Sequence, residues 1–384
     1  MNCVGYDVTR GATVEVSGAP LLTAVEELIR PPSDVPLLAP GFIDIQINGF
    51  AGVDYNDPRS TVEAIGESLE KIFSTGTTRI FPTVITGSPE EMAGSLRNLA
   101  KARAELPHGR AMEAFHVEGP HISPDDGPRG AHPRRWVRKP DYDEYRRWQE
   151  AAGGRVRLVT VSPEWPEAPA YIEKLVGEGV VVSIGHTKAD SAQIEAAVKA
   201  GATLSTHLGN GAHKELPRHP NYIWDQMAED RLTASFIADG IHLSRNFLKT
   251  AIRAKGVERS VLITDAVMPA MCAPGPYMLG EVEVELKADD RVVLRGGDRL
   301  AGSSLRMDRG ISVLLREAGV SLPEAVSMAT RNAARAGRIA GRLRGLEPGE
   351  RADVIEFEHD AKSKSIRILR TWLDGESVFG SQDA

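Results

Sequence analysis

The sequence predicts an α/β fold: a (β/α)8 TIM-like barrel with a small β domain built from both chain ends. Three observations lead there. Eight short apolar runs alternate with amphipathic segments between residues 42 and 265, the pattern of a parallel sheet with helical crossovers. Several of these runs end on a histidine or a carboxylate, and parallel barrels keep their chemistry at the carboxyl ends of their strands. Finally, 384 residues exceed the roughly 250 of a typical barrel, and strand-like stretches lie outside the alternation at both termini.

Taken in order, residues 13–16 alternate as a strand and Ser17-Gly18 turns. Residues 22–29 read as a short helix. Pro31, Pro32 and Pro36 then break regular structure. Pro40-Gly41 turns into the first barrel run, 42–48. The others are 79–84, 114–118, 156–161, 181–186, 203–207, 233–238 and 261–265. Helical patterns fill 61–74, 88–104, 143–151, 169–178, 191–199 and 246–255. Periodicity cannot show closure, so an open doubly wound sheet is the alternative, although its phosphate-binding GxGxxG is missing. Beyond Asp265, 281–286 and 291–294 read as a hairpin around Asp289-Asp290, and 301–317 and 322–336 as helices. Residues 353–358, 365–369 and 371–373 return to strand. The expected division is a β domain of 1–39 and 345–384 and a barrel of 40–344.

A net charge of −7 argues against general affinity for nucleic acid or anionic membrane. Two cysteines, Cys3 and Cys272, form neither a disulfide framework nor a thiolate metal cluster. No basic segment followed by an apolar core opens the chain, and no apolar run approaches a membrane span. A cytoplasmic enzyme acting on a small molecule is expected.

The chemistry concentrates at the strand ends. His186 and His207 close successive runs around the helical segment 191–199. A lone strand-end histidine is ordinarily structural; two at equivalent positions suggest metal ligands. Glu118 ends the run 114–118 and completes a two-histidine, one-carboxylate set. Such a set suits catalytic zinc, and Fe2+ or Mn2+ fit it as well. Asp265, at the end of the eighth run, reads either as a helix N-cap or as the general acid/base. His132, in a loop after the third run, could polarise a carbonyl. The segment 213–219, with Arg218, is a local cationic cluster suited to a phosphate, and His242 follows the seventh run.

Together the motifs PGFIDIQING (40–49), HVEGPHI (116–122), GAHP (130–133), SIGHT (183–187), ATLSTHLGN (202–210), ADGIHL (238–243), LITDA (262–266) and LAGSSLRM (300–307) resemble the N-acetylglucosamine-6-phosphate deacetylase family of the amidohydrolase superfamily. The resemblance implies a barrel plus a small β-sandwich domain made from both chain ends, and one divalent ion per chain, zinc first, on Glu118, His186 and His207. It makes Asp265 the catalytic acid/base and His132 the carbonyl-polarising residue. Substrate contacts fall to Ala131, His132, Asn210, Gly211, Arg218, His242, Leu300, Ala301 and Gly302. In the family the arginine reaches into a neighbouring subunit, so a homodimer is implied.

Two departures stand out. Gln46-Ile47-Asn48 replaces the His-x-His of two-metal relatives, so one metal is expected. Asn210-Gly211-Ala212 and Arg218-His219-Pro220 depart from the usual Asn-Ala-Met and Arg-Glu-Pro. That leaves N-acetylgalactosamine 6-phosphate open as the substrate. An N-acyl amino acid deacylase and a non-catalytic sugar-phosphate sensor are the competing readings.

Overall fold

The computed structural model describes residues 1–30 and 32–380; the break expected at Pro31 and the last four residues of the C-terminal segment lie outside the described residues. Eight parallel strands run in sequence order: Phe42–Ile47, Thr77–Ile85, Phe115–Glu118, Val156–Val161, Val181–Ile184, Leu204–Ser205, Thr233–Ile237 and Ser260–Ile263. Strand eight returns to strand one. The Asp265 N–H donates to Gln46 O (2.9 Å) and the Asn48 N–H to Ala266 O (2.7 Å). Thr264 donates its N–H (3.2 Å) and its hydroxyl to the Asp44 carboxylate. The sheet therefore closes into a barrel, and the open alternative is set aside.

The barrel interior is layered, because alternate residues of each strand point inward. Ile43, Ile45, Phe81, Ala114, Leu158, Val181, Leu204 and Val261 belong to one buried apolar cluster. Above it, polar side chains bond to one another. His116 Nε2 meets Thr160 Oγ1 at 2.8 Å, Thr160 Oγ1 meets Thr206 Oγ1 at 2.7 Å, and Ser183 Oγ lies 2.6 Å from Thr206 Oγ1. The metal-ligating types come next, at the rim.

The crossover helices start where the sequence supplies caps. Thr61, Ser88, Asp141, Asp190 and Ser244 each accept a backbone N–H of the first turn, and Glu91 and Gln193 complete capping boxes. A seven-residue helix, Tyr222–Ala228, was not expected; it is too short for its periodicity to register.

Four other expectations need correction. Within the helix expected at 22–29, Leu22–Glu27 instead form a strand, with Val25 opposite Val16; pairing to the preceding strand overrides local helical preference. The hairpin at 281–294 is the centre of a four-stranded antiparallel sheet with Gly275–Leu279 and Leu300–Ser303. Glycine and proline obscure the first of these strands, and helical composition hid the second, so the helix begins only at Met307. The runs holding His186 and His207 stop two residues early, at Ile184 and Ser205.

Both chain ends contribute to one seven-stranded sheet, ordered Glu376–Phe379, Ser365–Leu373, Val354–Asp360, Leu37–Pro40, Asn2–Asp7, Ala12–Gly18 and Leu22–Glu27. A Leu21–Arg351 bridge and the Leu22 N–H to Glu350 O bond (2.8 Å) fold its edge back. The sheet closes over Val14, Val16, Leu38, Val354 and Trp372.

Candidate active site

His186, His207 and Asp265 lie just past their strands in left-handed backbone conformations, with φ of 49°, 30° and 50°. Such angles are unfavourable for residues with a Cβ and persist where the surroundings over-determine them. Here they end the extended ladder and turn three side chains into the mouth of the barrel.

There Glu118 Oε1 lies 3.2 Å from His186 Nε2 and 3.0 Å from His207 Nε2, and the two imidazole nitrogens are 3.0 Å apart. All three residues are buried. Tetrahedral ligands at ordinary zinc distances would be separated by about 3.3 Å, so the donors fit one ion. The His186 Nδ1–H donates to Pro128 O (2.8 Å), which leaves Nε2 with its lone pair free to ligate. Burial favours a neutral Glu118, but His186 and His207 hold its pKa well below the usual carboxylate range. Burial also opposes charge on His207, yet Glu118 raises its pKa. These donors are the one such cluster of His, Cys, Asp and Glu among the described residues.

Gln46 and Asn48 stand where a second metal would need imidazoles. They act instead as donors. Gln46 Nε2 reaches Glu118 Oε1 (2.9 Å) and Asp265 Oδ1 (3.2 Å), and Asn48 Nδ2 reaches Asp265 Oδ1 (2.7 Å). Asp265 caps no helix; the chain turns directly into the loop at 267–272. Burial, and then the Glu118 charge, push its pKa up to about 6. His132 packs edge-on against His186 with ring centroids 4.5 Å apart, and its Nδ1 lies 2.8 Å from Thr86 Oγ1. Burial, and then His186, push its pKa down to about 3, so its ring is neutral at working pH.

These groups line a cavity of ≈ 280 Å³ that also includes Ala131, Asn210, Gly211, His242, Leu300, Ala301 and Gly302. Every candidate named from the sequence lines it except Arg218, which is exposed on the loop after His207. A model of the amidohydrolase family matches residues 37–378.

The chain belongs to the amidohydrolase family.

Within that family it is similar to N-acetylglucosamine-6-phosphate deacetylase of Bacillus subtilis (strain 168), at 32% identity over 93% of this chain and 88% of that one. N-acetylgalactosamine-6-phosphate deacetylase of Shewanella sp. (strain ANA-3) is also 32% identical, over 90% and 84%. The crystal structure of N-acetyl-D-glucosamine-6-phosphate deacetylase from Mycobacterium smegmatis superposes with a TM-score of 0.88, at 29% identity over 99% of this chain and 100% of that one.

Some residues of this amidohydrolase's site escaped sequence reasoning. Asp239 fixes His242: its Oδ2 lies 2.6 Å from His242 Nδ1, and its Oδ1 accepts the N–H groups of Ile241 (2.7 Å) and His242 (2.8 Å). Thr86 and the Pro128 carbonyl orient the other two rings. Asp239 lies inside the 238–243 motif, three residues before His242, but nothing in that spacing says that it holds the ring. Thr86 and Pro128 have no signal of their own, because one acts on a histidine distant in sequence and the other through a backbone atom. Gly211 packs against His186, and a Cβ there would lie 2.8 Å from its Nδ1.

Proposed function

We propose that this amidohydrolase removes the acetyl group of N-acetylglucosamine 6-phosphate, giving glucosamine 6-phosphate and acetate. The observation that carries the reading is the convergence of the Glu118–His186–His207 cluster, Asp265 and His132 on one cavity, in a chain related along nine-tenths of its length to such deacetylases. One divalent ion, zinc first and Fe2+ or Mn2+ otherwise, is held by the cluster. When bound, it polarises the amide carbonyl and lowers the pKa of a nearby water.

The remaining steps fall to the chain's own residues. Asp265, steadied by Gln46 and Asn48, takes a proton from the attacking water as the new C–O bond forms. It then delivers that proton to the amide nitrogen as the C–N bond breaks. His132 accepts from Thr86 at Nδ1 and donates from Nε2 to the carbonyl oxygen, where negative charge develops. Asn210, Gly211, His242, Ala131 and the Leu300–Gly302 loop hold the sugar.

Arg218 is exposed in the single chain, which supports its acting across a homodimer on the phosphate of the partner's substrate. Two free cysteines suit a reducing cytoplasm. We assign 1–39 and 345–384 to a β domain and 40–344 to the barrel; the seven-stranded sheet to which both chain ends contribute supports that division.

The test is an assay on N-acetylglucosamine, its 6-phosphate and N-acetylgalactosamine 6-phosphate, with metal analysis of the same sample. The expected result is one ion per chain and preference for the phosphorylated gluco substrate. Turnover with no bound metal, or equal rates with and without phosphate, would sink the reading.

A further inference from the structure

The cavity has two unlike sides. Asn210, His242 and Leu300 line one side, above barrel strands six to eight. The other side extends over the ends of strands one to three. Its polar residues spend their groups on the protein itself. Asp54 accepts the N–H groups of Asn56 (2.9 Å) and Gly280 (3.1 Å). Asn56 bonds to Thr83 O (3.1 Å) and the Ile85 N–H (2.7 Å), Ser95 donates to Asn56 O (2.9 Å), and Thr86 is held by His132.

The wall left for a ligand is mainly apolar, made by Val84, Ile85, Met92, Trp136, Leu279 and Val282, with Glu91 beside them accepting from the Ser88 N–H and hydroxyl. Its roof is the hairpin tip at Gly280-Glu281, tied to one side by the Asp54–Gly280 bond and to the other by a Glu281–Arg135 ion pair. A sugar placed there would find few unpaired donors or acceptors for its hydroxyls, and burying them unpaired is unfavourable. An alkyl chain would lose nothing.

The amide's own geometry directs that chain. Nitrogen and the acyl carbon leave a planar amide carbon in different directions. With the oxygen between the metal cluster and His132, and the nitrogen towards Asp265, the sugar lies on the His242 side and the acyl carbon points at the chamber. We infer that the enzyme also hydrolyses N-acyl groups longer than acetyl, the chain lying in this chamber. The inference rests on the deacetylase reading above. The reaction is unchanged: water supplies the new C–O bond, the C–N bond breaks, and a longer alkanoate leaves in place of acetate. Met92, unbranched and adaptable, suits a wall that must accept chains of different length.

The experiment compares kcat/KM for N-acetyl, N-butyryl and N-hexanoyl glucosamine 6-phosphate on the metal-loaded enzyme. Each methylene entering an apolar chamber favours binding by up to about fourfold, so N-butyryl should match or exceed N-acetyl. A pocket closed behind the acetyl methyl would instead cost at least about tenfold per methylene, and that result overturns the inference. Hydrolysis of N-butyryl without N-acetyl would support the chamber while rejecting acetyl as the natural group; loss of all three rejects both.

A second measurement fixes the location. Met92→Trp, which fills the chamber, should lower the hexanoyl-to-acetyl ratio at least tenfold. An unchanged ratio in a folded variant would show that the chain lies elsewhere.

Discussion

The two ends of the barrel both bury charge, and they do so to opposite effect. At the amino-terminal end, Arg79 donates to both Asp353 oxygens (2.7 and 3.0 Å) and to Asp374 (2.5 Å). Arg342 donates to Asp353, Thr78 and Gly41 O, and Arg351 meets Glu113 at 2.6 Å. Opposite charges are matched, and the contacts join the barrel to the sheet made by the chain ends. At the carboxyl end, Glu118 and Asp265 are both buried beside neutral amides, three site residues hold unfavourable backbone angles, and His207 Nδ1 and Asn48 Oδ1 have no hydrogen-bond partner among the described residues. One end is complete by itself. The other is arranged for an ion and a substrate, and barrels divide stability and chemistry between their ends in this way.

The largest effect should come from Asp265→Asn, which keeps shape and removes the proton acceptor. Turnover should fall about 10²–10⁴-fold with metal still bound, as read by steady-state kinetics beside metal analysis. The acidic limb of the parent's kcat/KM profile should lie at or below about pH 6, since a bound cation favours the ionised form, and should vanish in the variant. An active variant with the parent's profile would remove Asp265 from the mechanism.

The opposite end should answer in stability. Asp353→Asn leaves Arg79 and Arg342 buried without their shared carboxylate, a loss of about 3–5 kcal/mol. Tm should drop, while kcat of the folded fraction should hold. A fall in kcat with no change in Tm would break the comparison.

Melts of the metal-free protein against pH sharpen it, because the two aspartates carry opposite signs. Burial raises the Asp353 pKa, but Arg342 and Arg79 prevail and depress it. Its stabilisation is therefore present above the unfolded value of about 3.9 and lost as pH falls through the folded one. Asp265 is raised to about 6, so its charge destabilises the fold above that pH, and the penalty fades as pH drops below it. Metal-free Asp265→Asn should accordingly melt higher than the parent at pH 8 and converge with it near pH 4.

Two smaller changes probe the supports of the site. Gly211→Ala puts a Cβ 2.8 Å from His186 Nδ1 at a φ of +56°. Metal affinity should weaken about 10- to 100-fold, the usual effect of disturbing a ligand's orienting shell, as measured by competition with a chelator. Thr86→Val removes the hydroxyl that sets the His132 ring. The loss of one hydrogen bond, about 1 kcal/mol, should lower kcat about fivefold and leave KM in place; a larger change in KM would assign Thr86 to substrate binding.

Much of this molecule was determined locally and could be read from the sequence. Alternation of apolar residues placed all eight barrel strands and most crossover helices, because period-two and 3.6-residue patterns are properties of single segments. Strand-end positions marked Glu118, His186, His207 and Asp265 for the same reason. Tertiary structure alone decided the rest. Leu22–Glu27 became a strand because a neighbouring strand was available to pair with. Closure rests on Gln46, Asn48, Thr264 and Asp265 bonding across some 220 positions of chain. The inward turn of three ligating and acid/base side chains depends on left-handed backbone angles that no local preference supplies. Arg218 is legible as a cation, but the structure leaves it exposed, outside the cavity that the other site residues line. A residue's chemical type is written at its own position, while its partners are set by which distant segments pack beside it.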